Sequence, residues 1–136
     1  LGDEDIRDQY YFIFAGEDVE GYAATLKSFE NTSVLGEIPL ERVYAYYHCA
    51  DLYGFPSHSE GFPQVIFEAY VCGIPIIARD VSDVHMLADA IFESDEEFAS
   101  LLKEQSFSRH NRDLPDELRY EKLVERCLSV FEDISG

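Results

Sequence analysis

Apolar and polar residues fall along this chain in two kinds of block, and the blocks take turns. Tyr10 to Ala15 is a continuous apolar run closed by Gly16, the pattern of a buried strand. From there the apolar positions recur at Val19, Tyr22, Ala23 and Leu26, a helical stripe. Asn31 and Thr32 interrupt, and Ser33-Val34-Leu35 reads as a short strand ending at Gly36. Pro39 then opens a helix with Leu40, Val43, Tyr44 and Tyr47 on one face. Asp51 to Pro56 reads as a strand, Ile74 to Ala78 as a buried strand, Val84 to Leu87 as a short helix and Ala90 to Phe92 as a last strand. Ser94 with Glu97 three residues on is a capping-box pattern, and Phe98, Leu101 and Leu102 follow at helical spacing. The polar stretch from Ser106 to Leu114 reads as a loop. From Pro115 a long helix is predicted, with Tyr120, Leu123, Val124, Cys127, Leu128 and Phe131 on one face. Gly2 to Gln9 is polar and strand-poor, and Asp3, Glu4 and Asp5 read as a solvated charge run. Strands alternating with helices predict an α/β fold with a doubly wound, mostly parallel sheet. In such sheets ligands bind beyond the carboxyl ends of the strands, where the loops after Ala15, Leu35 and Phe55 lie.

One segment stands out chemically. Ser57 to Gly73 reads as a turn leading into a short helix. Gly61 permits the turn, Pro63 suits the first helical position, and Gly73 is placed to end the helix in a left-handed cap. The helix is apolar on nearly every face, the pattern of a buried element, and Glu68 is its only charged residue. A carboxylate there needs a partner, because an unpaired buried charge is expensive. The free backbone amides at Gln64 and Val65, with the positive end of the helix dipole, make a ready anion site. Glu60 supplies a second carboxylate just before the helix.

Seven residues separate Glu60 from Glu68, an E-x7-E spacing. Residues 60 to 77 match the run E-G-F-P-x-V-x-x-E-A-x-x-x-G-x-P-x-I at each fixed position. In this the segment resembles the donor-site motif of glycosyltransferase family 4, the retaining nucleotide-sugar enzymes of the GT-B fold. The likeness thins away from the motif. Val34 to Pro39 resembles the family's strand and loop beside the nucleotide base, and Tyr46 to Asp51 the run before its fourth strand. The order matches the C-terminal, donor-binding half of such an enzyme from its second strand onward. The resemblance therefore implies one nucleotide-sugar-binding domain over residues 1–136. It would be a fragment, lacking the family's first strand, the following Arg- and Lys-bearing loop and the N-terminal acceptor domain. Two loops depart from the family: Gly16-Glu17-Asp18 replaces a G-x-G-P run, and Val81 to His85 replaces a Gly-Gly pair with Pro-Glu.

The resemblance also implies roles. Glu68 would accept hydrogen bonds from the ribose hydroxyls. Glu60 would contact the donor sugar as the catalytic carboxylate. Gly61, Phe62, Gln64 and Val65 would contribute backbone groups to the sugar and diphosphate, and Gly36, Glu37 and Ile38 would flank the base. Carboxylates suit this work because each accepts from two hydroxyls at once. The side chain of Gln64 is expected to be simply exposed. His58 reads as a loop histidine that positions the turn, against a general acid or base role. His48, His85 and His110 read as surface or helix-end histidines. Asp80 and Asp83 are not assigned a metal, since the family needs none for its chemistry. No cofactor is expected, the nucleotide-sugar being a substrate.

Composition narrows the partners. The chain carries 28 Asp and Glu against 10 Lys and Arg, a formal net charge of -18. That excludes nucleic acid or an anionic membrane as a natural partner of this chain alone, so any membrane contact would run through another part of the protein. Few basic residues lie near the motif to meet a diphosphate. Cys49, Cys72 and Cys127 are widely spaced and odd in number, which predicts reduced core thiols in a cytoplasmic protein. Two functions follow. One is the donor half of a retaining enzyme that transfers a sugar to a glycan or lipid-linked acceptor, inactive when isolated. The other is a non-catalytic GT-B-like subunit that stabilises or regulates a partner.

Overall fold

The computed structural model describes residues 2–17, 21–58, 64–81, 83–104 and 106–110. The elements run α1 (Glu4–Gln9), β1 (Phe12–Ala15), α2 (Ala23–Leu26), β2 (Thr32–Gly36), α3 (Leu40–Cys49), β3 (Tyr53–Phe55), α4 (Gln64–Val71), β4 (Ile76–Arg79), a 3-10 turn (Val84–Met86), β5 (Ala90–Phe92) and α5 (Asp95–Glu104). The predicted alternation is there, and among the described residues all strand pairs are parallel. The predicted helix from Pro115 lies outside the described residues, as does Val19.

The strands form two sheets, β1-β2 and β3-β4-β5. The centre of the larger is β4, whose Ile76, Ile77 and Ala78 are wholly buried. Successive side chains of a strand point to opposite faces. On one face Ile76 and Ala78 pack with Tyr47 of α3 and Ile66 and Ala69 of α4; on the other Ile77 packs with Phe92, Ile6 of α1 and Leu102 of α5. Helices on both faces make the sheet doubly wound. Among the described residues β1 and β3 are not paired with each other. Phe12 donates to Asn31, and Tyr53 to Pro75, so the amides of Ile13 and Gly54 turn toward the opposite edges. A two-stranded sheet is marginal by itself. The isolated chain is therefore expected to have a stability below about 5 kcal/mol, the lower end for domains. Urea unfolding checks this; a cooperative transition at higher stability would show that the sheets close without another strand.

Several elements differ from their sequence patterns. Residues 2–9 are not a mere charge run. Asp3 caps α1 by accepting from the amides of Asp5 and Ile6, and its Oδ2 meets Lys103 at 2.6 Å. The ammonium of Lys103 holds the Asp3 carboxyl below the usual carboxylate range. β1 is buried on one side only: Phe12 packs against the core, while Ile13 is 52% exposed because no described element covers that face. In α3, Val43 and Tyr47 face the core but Tyr44 turns outward. The stripe is narrower than the apolar residues available to it. α4 likewise buries Ile66 and Ala69 but exposes Val65 and Val71, since one helix layer covers one side. Cys49 is exposed at the end of α3 and Cys72 is half-buried, and both are free thiols.

Three punctuation signals are found in the structure, two of them displaced by one residue. Gly73 ends the α4 segment at φ +70, and a Cβ there would collide with the carbonyl oxygen of His110. In the α5 cap, Glu97 N donates to Ser94 Oγ at 3.2 Å. The carboxylate of Glu97 reaches back one residue further than in the usual capping box, to Glu93 N at 2.7 Å. Pro39 precedes the first residue of α3.

Candidate donor site

The site is built where parallel strands end. α3 and α4 both begin after strand carboxyl ends, α3 after β2 and α4 after β3. Gly36 closes β2 at φ +69, a left-handed conformation that glycine adopts at little cost. Its carbonyl accepts from Gly16 N at 2.8 Å, which ties the ends of β1 and β2 together. Glu37 is exposed and Ile38 half-buried on the way into α3. Gln64 and Val65, both exposed, open α4. Glu60, Gly61, Phe62 and Pro63 lie outside the described residues.

Glu68 sits one turn into α4 and is half-buried. It has the partners its surroundings demand. The hydroxyl of Tyr47 in α3 shares its one proton between Glu68 Oε2 at 3.3 Å and the carbonyl of Val65 at 3.2 Å. Gln64 Nε2 donates to Glu68 Oε1 at 3.1 Å. The Gln64 side chain is thus exposed, as expected, yet engaged, because residues four apart on a helix are neighbours. Tyr47 itself is 7% exposed, with the Tyr53 ring edge-on to it at 5.6 Å. Burial, then the nearby Tyr53 and Glu68, push its phenol far above the ordinary tyrosine range. It stays a proton donor at any physiological pH. An ionised carboxylate offers about four lone-pair sites. Tyr47 and Gln64 each place one donor on it, one to each oxygen, and a carboxylate oxygen can accept more than one.

The cations nearby are turned inward. Arg79, at the end of β4, donates to the carbonyls of Pro56 at 3.2 Å and Glu93 at 2.6 Å and pairs with Asp95 at 2.8 Å. Its guanidinium lies 5.0 Å from the centre of the Phe92 ring. It holds the start of the loop that leads from β3 toward α4. Arg109 donates to the carbonyls of Tyr47, His48 and Ala50 at the end of α3, and of Cys72 beyond α4. His110 donates its amide to Gly73 O and places Nε2 3.4 Å from Asp89. Residues 106–110 form a loop, as predicted, and through Arg109 and His110 it straps the two helix ends. Burial pushes the Cys72 thiol up, away from nucleophilic use.

Sequence patterning did not reach Tyr47, Arg79 or Arg109. Tyr47 was visible only as one ring in a helical stripe, and a phenol on a buried face near a lone glutamate was the available signal. The two arginines act on backbone carbonyls remote in sequence, which no local spacing marks. Among the described residues no group of His, Cys, Asp and Glu could hold a metal ion, and no helix is long and apolar enough to cross a membrane.

Comparison with known proteins bears on the same segments. The putative teichuronic acid biosynthesis glycosyltransferase TuaC of Bacillus subtilis (strain 168) is 34% identical over 84 residues, covering 62% of this chain and 21% of that protein. The D-inositol 3-phosphate glycosyltransferase of Segniliparus rotundus is 36% identical over 70 residues, 49% of this chain and 16% of its own length. That of Rhodococcus erythropolis is 49% identical over 41 residues, 30% of this chain and 9% of its own length. The chain thus spans about a fifth or less of these relatives. The family model described as glycosyl transferases group 1 matches residues 3–90, from α1 through the 3-10 turn. With more than half of its residues inside that match and parallel α/β architecture among the described residues, the chain belongs to the group 1 glycosyl transferases.

Proposed function

We propose that this chain is the donor-binding half of a retaining glycosyltransferase, which transfers a sugar from a nucleotide-sugar to a glycan or lipid-linked acceptor. The observation that carries the reading is Glu68. It is a half-buried carboxylate one turn into α4, oriented by Tyr47 and Gln64, with one donor on each oxygen from these two side chains. Two vicinal ribose hydroxyls are the natural complement of such a group. The opening amides of α4 add a place for the diphosphate. Glu60 is assigned to the sugar, and Gly61, Phe62, Gln64 and Val65 to the sugar and diphosphate through their backbones. Gly36, Glu37 and Ile38 are assigned to the base.

The chemistry needs no nucleophile from this half. In front-face substitution the bond from the anomeric carbon to the diphosphate oxygen breaks with its electron pair leaving on the diphosphate. The acceptor oxygen bonds to the same face of that carbon, and its proton passes to the departing diphosphate. What this half supplies is orientation and electrostatic stabilisation of charge as it develops. No metal or cofactor is assigned to it.

The non-catalytic alternative has one observation in its favour. Arg79 and Arg109 are engaged by protein carbonyls and, for Arg79, by Asp95, so neither is directed at a diphosphate. Turnover separates the readings. The full-length protein is expected to consume a nucleotide-sugar with net retention, and the isolated chain is expected to show no transfer. Transfer by the isolated chain would contradict its assignment as half a site; a full-length protein that binds nucleotide-sugar but never turns it over would favour the regulatory subunit.

A further inference from the structure

Glu68 is held from two sides, and the two holds differ in kind. Gln64 is exposed and shares the helix with Glu68, so its side chain is free to exchange with water. Pairs of that kind contribute little. Tyr47 is different. Its ring is buried in the core formed with Phe55, Ile66, Ala69 and Ile76. The Tyr53 and Tyr44 rings lie edge-on at 5.6 and 6.5 Å. A ring packed this way does not change rotamer without opening the core. Its hydroxyl is therefore a fixed point, delivered from α3 to the carboxylate on α4.

We propose that Tyr47 is a positioning residue for the donor nucleotide: its hydroxyl fixes the Glu68 carboxylate in the rotamer that receives a vicinal diol. The inference rests on the reading of Glu68 as the ribose acceptor. A glutamate on a helix has three side-chain torsions, and a free carboxylate would populate several rotamers. Two hydroxyls on adjacent carbons need both carboxylate oxygens in one plane and one place. Tyr47 occupies Oε2 from the core side, and Gln64 occupies Oε1 from the helix side. Held at both oxygens, the carboxylate has fewer rotamers open to it. Preorganisation of this sort raises affinity by removing the ordering cost at binding.

Tyr47→Phe keeps the ring and removes only the hydroxyl, so the core stays filled. The readout is ribose discrimination in the full-length protein. Uridine, guanosine and adenosine diphosphates are each titrated beside their 2′,3′-dideoxy analogues. Wild-type protein is expected to favour the ribonucleotide it binds over the dideoxy form. Tyr47→Phe is expected to reduce that preference about three- to tenfold, the scale of part of one hydrogen bond to a charged group. The dideoxy affinity and kcat are expected to stay unchanged, while the donor KM rises in step. Equal weakening of both nucleotides would show a merely structural tyrosine and overturn the proposal. Full discrimination in Tyr47→Phe, with discrimination lost in Glu68→Ala, would overturn it while leaving the ribose reading intact. Wild-type protein that binds both forms alike would instead overturn the ribose reading, and the proposal with it.

Discussion

Glu68→Ala and Glu60→Ala are expected to fail in different ways in the full-length protein. In the proposed site Glu68 touches the ribose, which is present in the ground state and the transition state alike. Losing it removes uniform binding, so the donor KM should rise while kcat holds. One or two charge-assisted hydrogen bonds are at stake, roughly 1.5–3 kcal/mol each, so the rise is about ten- to hundredfold or more. Glu60 is assigned to the sugar whose anomeric carbon gains positive charge as the diphosphate leaves. A carboxylate there matters most in the transition state, so kcat should fall, on the order of a hundredfold, with little change in KM. Steady-state kinetics with varied donor reads both. Equal effects on KM would end this division of labour. Normal turnover in both variants would reduce the glutamates to structural groups.

The second large effect is on stability. Arg109 Nη2 lies 2.6 Å from the Tyr47 carbonyl and 2.7 Å from those of His48 and Ala50, and Nη1 lies 3.2 Å from that of Cys72. The last carbonyls of a helix have no partner within it. A guanidinium at the end of α3 satisfies them and meets the negative end of the helix dipole. It also joins the end of α3 to the residue after α4, the two helices that hold Tyr47 and Glu68. Arg109→Ala is expected to destabilise the protein by about 2–4 kcal/mol, as two or so charge-assisted bonds that are partly open to water. Arg109→Lys should recover less than half of that, since an ammonium cannot fork across several carbonyls. Urea midpoints measure both. An unchanged midpoint in Arg109→Ala would show that water satisfies these carbonyls as well as the arginine does.

The parts of this fold that were legible in sequence are those set by local periodicity and local stop signals. β4 is readable because Ile74 to Ala78 is apolar at every position, as a strand buried on both faces must be. α4 is readable from its apolar run and from Gly73, the residue able to take φ +70 beside the carbonyl of His110. α1 was missed although Asp3 is a good cap, because Ile6 is the only apolar residue in its one and a half turns. Its burial comes from α5 and Phe92, far along the chain. Periodicity also overstated burial. Ile13, Tyr44, Val65 and Val71 are apolar, yet each keeps a large part of its surface exposed among the described residues.

The candidate site divides in the same way. The carboxylates and helix start could be found by spacing, and the likeness to family members gave them roles. The supports of Glu68 could not be found so easily. Tyr47 is 21 residues away from it, and the contact exists only because β3 and β4 bring α3 and α4 onto one sheet face. A stripe reading treats Tyr47 as a ring and ignores its hydroxyl. Gln64 was one helical turn from Glu68 in plain view, and the i to i+4 relation was the signal that would have found it.

The most direct test of the nucleotide site is calorimetric titration of free nucleoside diphosphates into full-length wild-type, Glu68→Ala and Glu60→Ala proteins. A free nucleoside diphosphate has a ribose for Glu68 but no sugar for Glu60. One of them is expected to bind wild type and Glu60→Ala alike, and Glu68→Ala at least tenfold more weakly. Equal affinity across all three proteins, or no binding of any nucleoside diphosphate to the wild type, would contradict the assignment of this chain as the nucleotide-sugar-binding half.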